Sequence, residues 1–379
     1  MWKNIIGQER VKDILKSILS SGRVSHAYIF HGKDGVGKDM AAIEFAKYLN
    51  CENRDIEKGA CDICKSCKDV QSLKSQLLKF VTALPTGKDD NENTVLESLE
   101  KADYESYLSE IDFKSENPYH KINLEGANFI RISSIRELKN IIYLTGSENK
   151  TKVFLISDAD NMNPQSANAL LKVLEEPPKN SLLILTTSKL NSLLPTIVGR
   201  CQKIHFDSIS KNDLASYVKD FRKDLSETEL NFYTEIADGS ISKLLSILDG
   251  DYIDLRKKVL SVLRNLVMMS NVKLGFDIDF ITGKKDKERV RQFLVLMQVW
   301  IRDVLYKRAG NDELIMNKDE ADSISKFATR YNSDYYEIIK LIENSINDID
   351  HNVNLELMLF NLFLSIRELL LEGDKAKSA

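Results

Sequence analysis

Four of the five cysteines, Cys51, Cys61, Cys64 and Cys67, follow the pattern C-x9-C-x2-C-x2-C; the fifth is Cys201. Two thiolates separated by two residues grip one side of a tetrahedral ion, and two more close it. Four sulfur ligands with no open position describe a structural zinc site. A disulfide reading is weak without a secretion signal. A redox C-x-x-C would use two of the four and leave the others unexplained. Closed coordination also argues against catalysis by the metal, so its expected work is to fold a small module, residues 51–67, that has little core of its own.

A second chemical pattern is Gly32-Lys33-Asp34-Gly35-Val36-Gly37-Lys38, which matches the first seven positions of a Walker A loop. Its glycines, Gly32, Gly35 and Gly37, let backbone N–H groups turn toward phosphates, and Lys38 would reach the outer ones. The eighth position should carry a hydroxyl for Mg²⁺, but it is Asp39, whose charge would repel phosphate unless a metal intervened. The loop alone therefore supports two readings: nucleotide binding, or retained loop geometry without it. Val153-Phe154-Leu155-Ile156-Ser157-Asp158-Ala159-Asp160 resembles a Walker B strand, and there Ser157 occupies the magnesium-holding position while Asp158 remains at the next. Two magnesium-handling positions are changed together, which weighs against hydrolysis.

These residues need a scaffold, and its elements are readable. Val11, Ile14, Leu15, Ile18 and Leu19 share a helical face. Ala27–Phe30 reads as a buried strand before the glycine-rich loop, and a helix follows to Leu49. Strand, loop and helix are the context that gives a phosphate loop its meaning. Pro85 to Asn117 is acidic and irregular, with ten Asp or Glu against three Lys. This part of an insertion at about 85–125 is expected to be a solvated excursion, with a turn at Thr86–Asp90 and one helix over Val95–Ile111. Further on, the pattern predicts helices over Ser133–Leu144 and Asn163–Glu175. Strands are expected at Lys152–Ile156 and Leu182–Thr186, with an edge strand at Lys203–Phe206. Alternating strands and helices imply a mainly parallel, doubly wound α/β sheet.

The remainder is expected to be all helical. Average usage would place roughly 19 prolines in a chain of this length, yet there are six in 379 residues, and none follows Pro195. Proline breaks helices, and apolar residues recur at helical spacing in Val259/Leu260/Leu263/Leu266/Val267. The same spacing holds for Phe293/Leu296/Met297/Trp300/Val304/Leu305 and Leu355/Met358/Leu359/Leu362/Ile366. Hydrophobic residues at 43% exclude a disordered chain, and a net charge of −4 excludes a generally basic nucleic-acid coat. No apolar run approaches the ~20 residues needed to span a bilayer, and no targeting signal opens the chain, so a cytoplasmic setting is expected.

Together the motifs carry a resemblance. Ile6-Gly7-Gln8, Ser25-His26-Ala27-Tyr28, the phosphate loop and the cysteine module resemble the delta-prime family of bacterial DNA polymerase III clamp-loader subunits, within the AAA+ superfamily. Two runs are more specific: Ala167-Asn168-Ala169-Leu170-Leu171-Lys172-Val173-Leu174-Glu175-Glu176-Pro177-Pro178, and Leu194-Pro195-Thr196-Ile197-Val198-Gly199-Arg200-Cys201-Gln202. The resemblance implies an AAA+ RecA-like domain over 1–207, a helical lid over 208–250 and a C-terminal helical collar over 251–379. It implies that Arg200 is an arginine finger, offered to the nucleotide of a neighbouring subunit, although Gly199 replaces the serine usual before it. Thr186-Thr187 match the sensor-1 region. At sensor 2, Ser242 stands where an arginine is usual, and Lys243 is one residue on, turned about 100° around the helix. The implied role is a largely non-hydrolysing subunit, with doubtful ATP binding, that helps load a sliding clamp on primed DNA. Its partners would be tau/gamma and delta subunits, and DNA would be contacted through the assembly.

Two rival readings stay open from sequence. The chain is an active AAA+ ATPase with Asp39 or Asp158 as a magnesium ligand, or a zinc-containing nucleic-acid adaptor. Against the adaptor, the cluster carries few basic residues near the ligands, Lys58, Lys65 and Lys68 among them, and no aromatic residue lies between Cys51 and Cys67 to stack on bases.

Overall fold

Five strands hydrogen-bond side by side in the order β2-β3-β4-β1-β5, every neighbouring pair parallel. They are β1 (Ala27–Gly32), β2 (Leu78–Val81), β3 (Lys152–Ile156), β4 (Ser181–Thr187) and β5 (Gln202–Phe206). The structure, a computed structural model, describes residues 2–87, 95–143, 150–248, 251–268, 271–283, 286–351 and 353–375. It divides into two compact units, one of Met1–Phe221 with Ala237–Lys243, the other of Arg222–Ile236 with Leu244–Ala379.

In the first unit the helices are α1 (Glu9–Ser21), α2 (Lys38–Asn50), α3 (Lys65–Gln71), α4 (Lys101–Glu116), α5 (Ile132–Tyr143), α6 (Pro164–Glu175), α7 (Pro195–Val198) and α8 (Lys211–Lys219). Parallel strands buried on both faces read as continuous apolar runs, and β4 buries every residue from Leu182 to Thr187. β5, at the edge, buries only Ile204 and Phe206. On one side, Leu170 and Val173 of α6 join Ile29, Phe154, Ile156, Leu183 and Leu185 in a single buried cluster. Elsewhere in the unit aromatic rings interlock, Tyr28 edge-on to Phe45 at 5.8 Å and Phe30 tilted against Phe206 at 5.3 Å. Helix α6 starts where the sequence says it should. Asn163 accepts a hydrogen bond from the Ser166 N–H at 2.8 Å, and Pro164 supplies the fixed φ of a first helical residue.

Two expectations are revised. β2 was not anticipated: Leu-Lys-Phe-Val is too short for its alternation to stand out, and it gains strand form by pairing with β3. The helix of the insertion runs over Lys101–Glu116, not Val95–Ile111. Val95 and Leu99 instead tuck into a small cluster with Leu84 and Leu124, and the Val95 N–H donates to Glu137 at 3.2 Å. Of the expected turn at Thr86–Asp90, residues 88–90 lie outside the described residues, as does Leu144 at the end of the helix assigned to Ser133–Leu144.

The second unit is helical: most of α9 (Glu227–Ala237) and α10 (Ile241–Leu248), then α11 (Asp251–Val267), α12 (Asn271–Thr282), α13 (Lys287–Arg308), α14 (Ala321–Arg330), α15 (Tyr335–Asp348) and α16 (Leu355–Lys375). The stripe read on α13 is its buried face, including Phe293, Leu296, Met297, Trp300 and Val304. The Trp300 indole N–H donates to Glu320 at 2.8 Å. Buried Asp303 is satisfied by the backbone N–H groups of Met316 and Asn317 and by the Asn317 amide.

Gly32 closes β1 with φ 152°, and a Cβ there would collide with the Phe206 carbonyl on the neighbouring strand. Backbone cannot step aside as a flexible side chain would. Gly32→Ala is therefore expected to destabilise the chain by about 1–3 kcal/mol, read as a lower urea midpoint with an unchanged m-value.

Candidate functional site

Strand β1 delivers the phosphate loop, and α2 starts directly from it at Lys38. Gly35 and Gly37 hold φ of 74° and 92°, in the left-handed region that favours glycine. Lys38 is buried and turned onto its own loop, donating to the carbonyls of Gly32 at 3.0 Å and Lys33 at 2.7 Å. Burial lowers its pKa.

Asp39 is the centre of the arrangement. One carboxylate oxygen accepts from the Thr186 hydroxyl at 2.8 Å. The other accepts from the Ser157 hydroxyl at 2.8 Å and from the Lys114 ammonium at 2.9 Å. Burial alone would raise its pKa, but the Lys114 charge and these hydrogen bonds hold it below the usual carboxylate range. The two departures from the Walker patterns thus form one pair. An acid stands where the loop hydroxyl is usual, a hydroxyl stands where the strand acid is usual, and the two touch.

Asp158 sits beside them at φ 49°. Its N–H donates to the Thr186 hydroxyl at 3.2 Å. Burial first, and the charge of Asp39 second, push its pKa up to about 6. Thr187 donates to Asp160 at 2.6 Å. Ser242, at the position the resemblance assigns to sensor 2, donates to the Tyr119 carbonyl at 2.6 Å, while the Ile241 N–H donates to the Gly35 carbonyl at 2.9 Å.

The insertion corrects the expectation of a solvated excursion. Lys114, Tyr119, His120 and Lys121 line the same cavity as Gly35, Gly37, Lys38, Asp39 and Asp158. Lys114 is 3% and Tyr119 6% exposed. Lys121 pairs with Asp34. The cavity left between these groups is about 50 Å³, room for a few waters and well short of the ~300 Å³ of a small ligand pocket. Sequence reasoning missed Lys114, Tyr119 and Lys121 because nothing in a charged stretch marks a side chain that returns to a loop some eighty residues earlier.

The four cysteines meet as their spacing predicts, with all four Sγ atoms within 4.8 Å of one another. Tetrahedral Zn–S bonds of about 2.3 Å would set sulfurs about 3.8 Å apart, and Cys61 and Cys67 stand at 4.0 Å. All five cysteines of the chain are free. Backbone N–H groups of Cys61 and Cys64 point at the sulfurs of Cys51 and Cys61, and those of Cys64 and Ile63 hold the Cys61 thiol down to about 6. The cluster can hold a metal ion, and its donors suit a soft one. The buried core around it is only Cys51, Ala60 and Cys67. It is tied to the sheet domain through α2: Lys47 bonds Glu44 at 2.8 Å and Asp62 at 3.1 Å, and Asn4 bonds both acids. Trp2 stacks on Tyr48 and donates to the Ile56 carbonyl.

Arg200 does not line the phosphate-loop cavity. It follows the short helix α7, exposed, donating to the Thr196 carbonyl and to Glu175, each at 2.9 Å. Gly199 beside it has ordinary helical φ of −69°. Among the described residues no helix is long and apolar enough to cross a membrane.

Comparison with known proteins places this arrangement. Residues 7–210 match the family model described as DNA polymerase III, delta subunit, and residues 252–368 match the model described as DNA polymerase III, delta subunit, C terminal. The DNA polymerase III subunit delta' of Bacillus subtilis (strain 168) is 26% identical over 373 residues, covering 97% of this chain and 98% of that protein. The DNA polymerase III subunit gamma of Buchnera aphidicola subsp. Schizaphis graminum (strain Sg) is 28% identical over 252 residues, covering 65% of this chain and 57% of that protein. The crystal structure of a DNA polymerase III, gamma subunit-related protein from Thermotoga maritima aligns over 94% of this chain and 99% of that one, at TM-score 0.49 and 15% identity.

The Asp158 environment makes stability depend on pH in a defined direction. Its folded pKa of about 6 lies above the unfolded value of about 3.9, so its contribution is fully present below pH 4 and is lost as pH rises through 6. Asp158→Asn removes the charge and keeps a residue type that tolerates φ above zero. The variant is expected to be more stable than wild type by roughly 1–3 kcal/mol at pH 7.5, the difference vanishing near pH 4 in paired urea titrations.

Proposed function

The chain belongs to the DNA polymerase III delta-subunit family, and from that premise we propose that it serves as the delta-prime subunit of a clamp loader. In this role it is a largely non-hydrolysing member of a ring of AAA+ subunits that opens a sliding clamp and places it on primed DNA. ATP hydrolysis belongs to tau/gamma partners, and Arg200 reaches the nucleotide of the neighbour. The lid is residues 208–250 and the assembly collar residues 251–379. The partners are tau/gamma and delta subunits, the clamp, and primer-template DNA contacted through the assembly. The setting is cytoplasmic.

One observation supports the non-hydrolysing role above the others: the Lys114 ammonium sits on Asp39, at the loop position whose side chain would otherwise hold magnesium. An active ATPase reading needs Asp39 or Asp158 to hold the metal. For Asp39 that requires Lys114 to leave a mostly buried carboxylate, which is costly. Arg200 favours the in-trans role because its charged partner among the described residues is Glu175 in an exposed pair, with side chains 38% and 51% accessible. Such pairs contribute about 0–1 kcal/mol, so the guanidinium turns outward at little cost.

Two measurements test this reading. Reconstitution with tau/gamma and delta subunits, comparing wild type with Arg200→Ala, is expected to show assembly of the same mass but about 10³-fold slower turnover at the adjoining ATP site. Unchanged clamp-stimulated ATPase and loading would sink the finger assignment. The cysteine cluster is assigned a structural zinc ion held by Cys51, Cys61, Cys64 and Cys67. Elemental analysis is expected to find one zinc per chain, absent in Cys64→Ser, with a melting temperature roughly 5–10 °C lower as the module loses its staple. Full stability after exhaustive chelation would remove the metal from the account.

A further inference from the structure

Helix α4 ends at Glu116, and the chain turns back at once. The Asn117 side chain accepts from the Tyr119 N–H at 3.1 Å and its carbonyl accepts from the His120 N–H at 2.8 Å. This turn carries the Tyr119 ring over the phosphate loop, where a Cβ on Gly37 would lie 2.8 Å from a ring carbon. The Tyr119 hydroxyl accepts from the Ile6 N–H at 2.8 Å and donates to the Asn4 carbonyl at 3.1 Å. A backbone N–H and C=O side by side above a phosphate loop complement the acceptor and donor on the pairing edge of an adenine. Tyr119 offers a flat ring and a single group that both accepts and donates.

Lys114 completes the set. An ammonium has three N–H donors, and Lys114 directs them to Asp39 at 2.9 Å, the His120 carbonyl at 2.8 Å and the Pro118 carbonyl at 3.3 Å. One cation therefore holds both the loop acid and the turn that carries Tyr119. The cavity's ionic side chains also balance without a ligand, with Asp34, Asp39 and Asp158 facing Lys38, Lys114 and Lys121.

We propose that residues 114–121 are a built-in occupant of the phosphate-loop pocket, with Tyr119 in the place of a nucleotide base and Lys114 in the place of the divalent cation. The pocket closes on the chain itself. The contacts from Ser242 to the Tyr119 carbonyl and from the Ile241 N–H to Gly35 then hold segment 237–243 on the loop permanently, without a ligand that could leave. The inference concerns the isolated chain and goes beyond the clamp-loader reading, so either can fail alone.

The test uses the full chain. In the wild type, millimolar Mg·ATP is expected to leave the unfolding temperature unchanged. In Asp39→Thr/Lys114→Ala/Tyr119→Ala, which restores the loop hydroxyl and empties the pocket, Mg·ATP is expected to raise it. Tyr119→Phe keeps the ring and removes only the hydroxyl. By hydrogen exchange its Ile6 amide is expected to exchange about five- to tenfold faster than in wild type. A wild type stabilised by Mg·ATP, a folded triple variant that takes none, or unchanged Ile6 exchange in Tyr119→Phe would each overturn the proposal.

Discussion

A carboxylate tucked under a phosphate loop has to be neutralised, either by a bound cation or by the chain. Asp39 is mostly buried, its side chain 16% exposed, and it is met by a lysine whose side chain is 4% exposed. Much else in the first unit follows from that pairing. Lys114 can reach Asp39 only if α4 ends near the loop, so the insertion must fold back and its turn must enter the pocket. Ser157 and Thr186, at the ends of β3 and β4, supply the remaining hydrogen bonds. The strand order sets β4 beside β1 and β3 next to β4, so the sheet brings both hydroxyls to the end of the phosphate loop.

Helix α2 transmits the constraint to the cysteine module. It begins at the loop with Lys38 and Asp39 and ends one residue before Cys51. Thirteen helical residues span about 20 Å, and nearly all of them are buried, so the helix has little freedom to shift. Near its far end, Lys47 binds Glu44 and the module's own Asp62. A knob with almost no apolar core, whose four sulfurs can hold a metal ion, is thereby tied by an ionic network to the helix that carries the phosphate loop.

How much of this was legible in the sequence depended on whether the signal was local. β1, β3, β4 and β5 are apolar runs bounded by turn residues, and each was read within a residue or two of its ends. The cysteine spacing gave the cluster, since the ligands lie close in sequence. β2 was invisible because its strand character comes from pairing with β3. The exchange of acid and hydroxyl between positions 39 and 157 was readable as two separate losses, but nothing one-dimensional says that the two side chains touch. Lys114 and Tyr119 were least legible, since their roles depend on a turn that returns them to residues far earlier in the chain.

Two ion pairs of the first unit, one centred on Lys114 and one on Arg200, show why the same chemistry serves opposite ends. Removing one partner of a buried pair costs about 3–5 kcal/mol, because a charge is left without compensation. An exposed pair is worth about 0–1 kcal/mol. Asp39–Lys114 is of the first kind and Arg200–Glu175 of the second. Under the proposed function, the pocket that need not cycle is fixed by an interaction too costly to break at each turnover. The guanidinium that must reach a neighbour's nucleotide is parked by one that thermal motion opens. Water makes the difference, since it screens Arg200 and is nearly excluded from Lys114, so where each residue sits determines which charge is locked and which is free to act.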